Sequence, residues 1–110
     1  MKKVYLYYRE FTLGYLTMQE DEYLWVPDVQ QIDLFEKKYQ WSWLRLDNKN
    51  QKLYKGVPYH YMDYLHSSSR PDLKEHAKIE KNDSDFEKLC KMAKLDFYNE
   101  DFYIKVTEND

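Results

Sequence analysis

At 110 residues the chain is expected to form one domain, residues 1–110, with an adequate but modest core. Its formal net charge of −3 comes from dense charges of both signs, neutral over residues 1–66 and acidic over 67–110, so it shows no basic stripe for a phosphate backbone. Two glycines, Gly14 and Gly56, cannot build a phosphate-cradling loop, which excludes an autonomous nucleotide-dependent kinase, and one cysteine excludes an internal disulfide framework and fits a reducing cytosol.

Residues 3–8, KVYLYY, alternate with period two. Val4, Leu6 and Tyr8 point one way and Tyr5 and Tyr7 the other, as a strand requires. Arg9 and Glu10 are the polar interruption, and Phe11 to Met18 resumes as a second strand, with Leu13, Tyr15 and Thr17 opposing Gly14, Leu16 and Met18. Gln19 to Asp21 turns the chain into a third strand, Glu22–Val26, which completes an antiparallel meander.

Pro27 ends that strand, and Asp28 with Gln31 three residues on has the form of a helix N-cap pair. Ile32, Phe35 and Tyr39 follow at helical spacing, which predicts a helix over 29–38. WSWLRL, residues 41–46, alternates again, with Trp41 and Trp43 on one side. DNKNQK is a polar turn, and Leu53–Tyr54 can begin a short return strand.

Pro58 suits a helix's first turn, and Tyr61, Met62 and Leu65 make an apolar stripe over 58–66. Pro71 opens another short helix with Leu73 and Ala77 inward. Ser84 and Glu87 form an S-x-x-E capping box, and Phe86, Leu89, Cys90 and Ala93 repeat at i, i+3, i+4, i+7 behind it. Phe102–Val106 reads as a last strand, with the final TEND expected to fray. The pattern is α+β: an antiparallel meander or sheet of four to five strands, with three to four short helices packed on one side.

The N-terminal meander with Gly14 and Leu16, then Arg70-Pro71-Asp72, then Asp83, Phe86 and Leu89, resembles the N-terminal subdomain of HipA-type toxin kinases. The likeness spans nearly the whole chain, is patchy from Asp28 to His66, and lies in the order of its motifs rather than in any one of them. That family continues into a kinase domain, whose residues for ATP, magnesium and phosphoryl transfer have no counterpart in this sequence. What remains is similar to the small standalone subunit of split three-component HipA-type systems. The resemblance implies a non-enzymatic, antitoxin-like module that regulates a Ser/Thr kinase by direct binding.

The residues themselves leave other readings open. One is a phage or mobile-element inhibitor that binds an unrelated host protein; another is a small nuclease-like enzyme that uses His60 and His66 as acid and base. For the binding readings, Trp41, Trp43, Tyr54, Tyr59 and Tyr61 are the candidate contacts, since aromatic rings bury large area at low rotamer cost. Each also has a plain alternative as a core or half-buried residue. Trp25 and Cys90 are read as core. No cofactor, metal or catalytic residue is expected, nor contact with nucleic acid or membrane. No run approaches the roughly 20 apolar residues of a membrane span, and the N-terminus has no apolar signal core, so a cytoplasmic location is expected.

Overall fold

A computed structural model of the chain describes residues 1–40, 49–95, 98–99 and 101–108. The elements in chain order are β1 (Lys2–Tyr8), β2 (Phe11–Gln19), β3 (Glu22–Pro27), α1 (Val29–Tyr39), β4 (Lys52–Tyr54), α2 (Tyr59–Ser67), α3 (Pro71–Ala77), α4 (Asp85–Ala93), β5 (Tyr98–Asn99) and β6 (Phe102–Glu108). The strands form one antiparallel sheet in the order β4-β3-β2-β1-β6-β5. The fold is α+β, with β4 and β5 as short outer strands. The proposed strand over 41–46 lies outside the described residues.

Alternation along β1 decides which side of the sheet is filled. Val4 and Leu6 are wholly buried, and their cross-strand partners Leu16, Gly14, Val106 and Ile104 share that side. Helices α1, α2 and α4 meet this face. Phe35 of α1 lies 4.8 Å from the Tyr8 ring, Tyr61 of α2 donates a hydrogen bond to the Val4 carbonyl at 2.8 Å, and Phe86 of α4 lies 6.2 Å from Tyr23. Trp25, Ile32, Leu89, Cys90 and Met92 complete the core.

The helix boundaries follow their caps. The Asp28 carboxylate accepts from the Gln31 amide at 3.1 Å and opens α1. Ser84 and Glu87 make both bonds of the capping box that starts α4. Pro71 sits in the first turn of α3, where its missing N–H costs nothing. Lys91 ties the two helices together by donating to the Lys78 carbonyl at 3.0 Å and pairing with Asp83 at 2.6 Å.

Three local expectations are corrected. A bulge in the β1–β2 ladder between Leu6 and Tyr7 inserts an extra residue opposite, so Leu13 joins Gly14 and Leu16 in the core instead of opposing them with Tyr15. In α2 the buried residues are Tyr61 and Tyr64, while Met62 is only partly covered. Thr107 and Glu108 do not fray; they pair with Lys3 and Lys2 because β1 runs long enough to receive them.

Both tight turns of the meander put a non-glycine residue in the left-handed region, Arg9 at φ 48° and Glu20 at φ 58°. At the first, a polar clasp holds the geometry. Arg9 bonds Asp101 at 3.1 Å and the Tyr39 hydroxyl at 3.4 Å, its amide donates to the Asp101 carbonyl at 3.0 Å, and Lys38 pairs with Glu10. These contacts gather the β1–β2 turn, the end of α1 and the turn before β6.

Gly14 is the one glycine that the packing demands. It has φ +151°, and a Cβ there would stand 2.5 Å from the Val26 carbonyl oxygen, 2.6 Å from the Trp25 ring and 2.8 Å from the Pro27 Cα. Two of those neighbours are backbone and cannot step aside. Gly14→Ala is therefore expected to lower stability by about 2 kcal/mol or more in urea unfolding.

Candidate functional site

The alternation that sends Val4 and Leu6 inward sends Lys3, Tyr5 and Tyr7 to the other side of β1. The register places Tyr15 beside Tyr5, Tyr103 beside Tyr7, and Lys105 on the opposite flank of Tyr5. On β3 and β4 the same side carries Leu24, Val26 and Leu53, the last 41% exposed. Among the described residues no helix packs on this face. It is a surface of half-buried tyrosines and aliphatic side chains.

The rings are organised across strands. Tyr7 and Tyr103 stack in parallel, with centroids 4.9 Å apart and planes 4° from one another. Tyr5 leans on Tyr15 at 5.4 Å and approaches Tyr7 at 6.4 Å. The Lys3 ammonium sits 4.7 Å over the Tyr15 ring, a cation–π contact that holds the long side chain along the sheet. The Tyr103 hydroxyl donates to the Arg9 carbonyl at 2.9 Å, which fixes that ring's direction. Neighbouring rings thus restrict one another's rotamers.

A shallow groove of about 380 Å³ opens at one end of this face. Tyr5, Thr12, Tyr15 and Val26 line it, with Asp28 and Val29 at the start of α1 forming its far rim. The Asp28 carboxylate is already engaged as the α1 cap. The groove is thus mostly aromatic and aliphatic, with a hydroxyl and a carboxylate at its margin.

Of the aromatic residues singled out from sequence, the described ones, Tyr54, Tyr59 and Tyr61, do not belong to this set of rings. Trp41 and Trp43 lie outside the described residues. Tyr54 is partly buried on β4 opposite Tyr23, on the helix side of the sheet, with the Lys52 ammonium 5.1 Å from its ring. Tyr59 opens α2 and is 43% exposed. Tyr61 is corrected: it is wholly buried, with its hydroxyl on the Val4 carbonyl, and offers a partner nothing. Its i, i+3 spacing to Tyr64 turns both rings into the sheet. Tyr5, Tyr7, Tyr15 and Tyr103 take the place of these residues, and their signal was the second phase of the strand alternation.

Trp25 and Cys90 are core as expected, and burial pushes the Cys90 thiol up to about 11, far from a thiolate nucleophile. His60 packs edge-on against Trp25 at 4.5 Å, between Tyr59 and Tyr61. Burial lowers its pKa to about 3, so it is neutral across the physiological range and cannot serve there as a proton donor. His66 is exposed near the end of α2. Among the described residues no group of His, Cys, Asp and Glu side chains could hold a metal ion, and no helix is long and apolar enough to cross a membrane.

The His60 environment has a measurable consequence. Its folded pKa lies below the ordinary 6.5, so the unfolded chain binds a proton first. The stability that neutral His60 contributes is complete above pH 6.5 and is lost as pH falls toward 3. Urea unfolding between pH 7 and pH 4.5 should show stability falling with a slope approaching 1.4 kcal/mol per pH unit, roughly the limit for one proton. His60→Gln should flatten that slope. Comparison of the chain with protein-family models, curated proteins and solved structures found no match.

Proposed function

We propose that this domain is a non-enzymatic protein-binding module that holds its partner against the open tyrosine face of its sheet. The observation that carries the reading is the cross-strand set Tyr5, Tyr7, Tyr15 and Tyr103, left without a helix over it among the described residues. Tyrosine and arginine-type contacts dominate binding energy at interfaces, because a ring covers large area at low entropic cost and carries a hydroxyl for a hydrogen bond. Pre-packed rings strengthen that advantage.

The partner we propose is a HipA-type kinase, restrained by direct contact as an antitoxin restrains its toxin. Support comes from the order of the motifs Gly14 and Leu16, Arg70-Pro71-Asp72, and Asp83, Phe86 and Leu89. Those residues have structural work in this fold. Gly14 admits Trp25, Pro71 starts α3, Asp83 pairs with Lys91, and Leu89 is wholly buried. They would therefore mark a shared scaffold, while the tyrosine face would meet the partner. Trp41 and Trp43 remain proposed contacts as well.

The test is calorimetric titration of the domain into a HipA-type kinase from the same genome, with kinase autophosphorylation followed in parallel. Binding with inhibition is expected. Tyr7→Ser and Tyr15→Ser should each weaken it roughly tenfold or more while Tm changes little, and Trp41→Ala and Trp43→Ala should behave alike. A large drop in Tm for either tryptophan variant would place that ring in the core. Face-dependent binding to a host protein of another class, with none to the kinase, would replace the antitoxin reading with the inhibitor reading. Binding unaffected by the tyrosine variants would sink the face as the site.

A further inference from the structure

We propose that the hollow where α2, α3 and α4 converge binds a phosphate group, held as a dianion among Lys74, Lys81 and Lys88. This goes beyond the protein-binding reading and uses a different part of the molecule from the tyrosine face.

Three stretches of chain meet at this hollow. Ser68 and Ser69 follow α2, Lys74 lies in α3, Ile79, Glu80 and Lys81 belong to the link after α3, and Lys88 lies in α4. Together they line a pocket of about 210 Å³. Three lysines and one glutamate thus surround a space large enough for one phosphate and a few waters, in the half of the chain that is acidic as a whole.

These lysines are not committed elsewhere. Among the described residues neither Lys74 nor Lys81 makes a side-chain hydrogen bond or ion pair. Lys88 approaches Asp85 at 3.9 Å, too far for a hydrogen bond. Asp83 is taken by the Lys91 ammonium at 2.6 Å and the Glu80 amide at 2.8 Å. Glu80 has no ion pair among the described residues, so it neutralises none of the three directly. The lining is formally +2, three positive charges less one. Nor do the helix ends need these charges. The Ser68 and Ser69 amides donate to the Tyr64, Leu65 and His66 carbonyls that end α2, and the Ile79 amide donates to the Lys74 carbonyl in α3.

The ligand chemistry follows from that arrangement. A concave site that gathers like charges focuses their field and attracts a counter-ion. Lysine ammonium groups are compact point charges on flexible stems, so three of them on separate pieces of chain can converge on oxygens that point apart in a tetrahedron. A phosphate monoester carries about two negative charges at neutral pH, which matches the lining. A carboxylate carries one, in a plane better suited to an arginine fork. The Ser69 hydroxyl adds a neutral donor at the rim. The volume takes the phosphate and leaves outside whatever carries it, so the source is either the free ion or a phosphorylated side chain.

The experiment titrates the isotope-labelled full chain with inorganic phosphate, and with sodium chloride at matched ionic strength, read by amide chemical shifts. Phosphate should give saturable shifts at Ser69, Lys74, Ile79 to Lys81 and Lys88 with a Kd of about 1 millimolar or lower, and chloride should not. Lys74→Gln and Lys81→Gln keep the stem and drop the charge; each should weaken binding about tenfold, and Lys81→Arg should restore it in part. Lys55→Gln, away from the pocket, should change nothing. A phosphoserine peptide that binds more tightly than inorganic phosphate, while its unphosphorylated form does not bind, supports the site and makes a phosphorylated side chain the source. Inorganic phosphate binding at least as tightly as that peptide supports the site and makes the free ion the source. Shifts that never saturate, that chloride reproduces, or that survive both glutamine variants overturn the proposal and leave the protein-binding reading untouched.

Discussion

The helix side of the sheet depends on Trp25 lying diagonally across Gly14. Only a residue without a side chain lets the indole down onto β2, and only a seated indole gives α2 something to pack on. His60 and Tyr61 both approach that ring edge-on, at 4.5 and 5.9 Å. Tyr61 then reaches past it to the Val4 carbonyl on the central part of the sheet. Bare backbone at residue 14 thus sets how closely the Trp25 ring lies on β2 and, through that ring, what α2 packs on. A methyl group there would meet backbone on two sides, which is why the effect cannot be absorbed by a rotamer change.

Filling one side of the sheet so completely has a consequence on the other. An antiparallel sheet can leave one face open, and among the described residues this one puts there mainly tyrosines and aliphatics, with Lys3, Lys105 and Glu22 beside them. The rings cover each other in pairs, which reduces the apolar area they show to water without hiding it. A face of this composition costs solubility unless something occupies it, and the net −3 of the chain partly offsets that cost by self-repulsion between copies. Among the described residues the acid content lies mostly off the tyrosine face, which carries Lys3, Lys105 and, at the far end of β3, Glu22.

Much of the architecture was legible in the chain. Period-two alternation located β1, β2, β3 and β6, and the caps at Asp28 and Ser84 with Pro71 placed three helix starts. The candidate site was legible only in part. Tyr5 and Tyr7 showed as one face of a strand, but an alternating strand does not say which of its faces receives the helices. Tyr61 looked like a surface ring because tyrosine tolerates either environment, and its hydroxyl found an acceptor fifty-seven residues away in sequence. Leu13 alternates with Gly14 in the sequence, yet both are buried, because a bulge shifts the phase by one residue and no residue type at that point announces it.

The sequence by itself determined the α+β class, the order of the described strands and helices apart from β5, and the chemistry it lacks, such as a phosphate loop or a disulfide framework. Those are local or compositional properties, set by side-chain period, capping residues and residue counts. Tertiary structure alone decided that Tyr5, Tyr7, Tyr15 and Tyr103 share one face, left without a helix over it among the described residues, that Tyr61 belongs to the core, and that His60 packs against Trp25. The physical reason is that β6 returns from the far end of the chain to pair with β1, so the neighbours that define the face are joined through hydrogen-bond register across almost a hundred residues. No local pattern encodes that register; it follows from burying Val4, Leu6, Val106 and Ile104 on the same side.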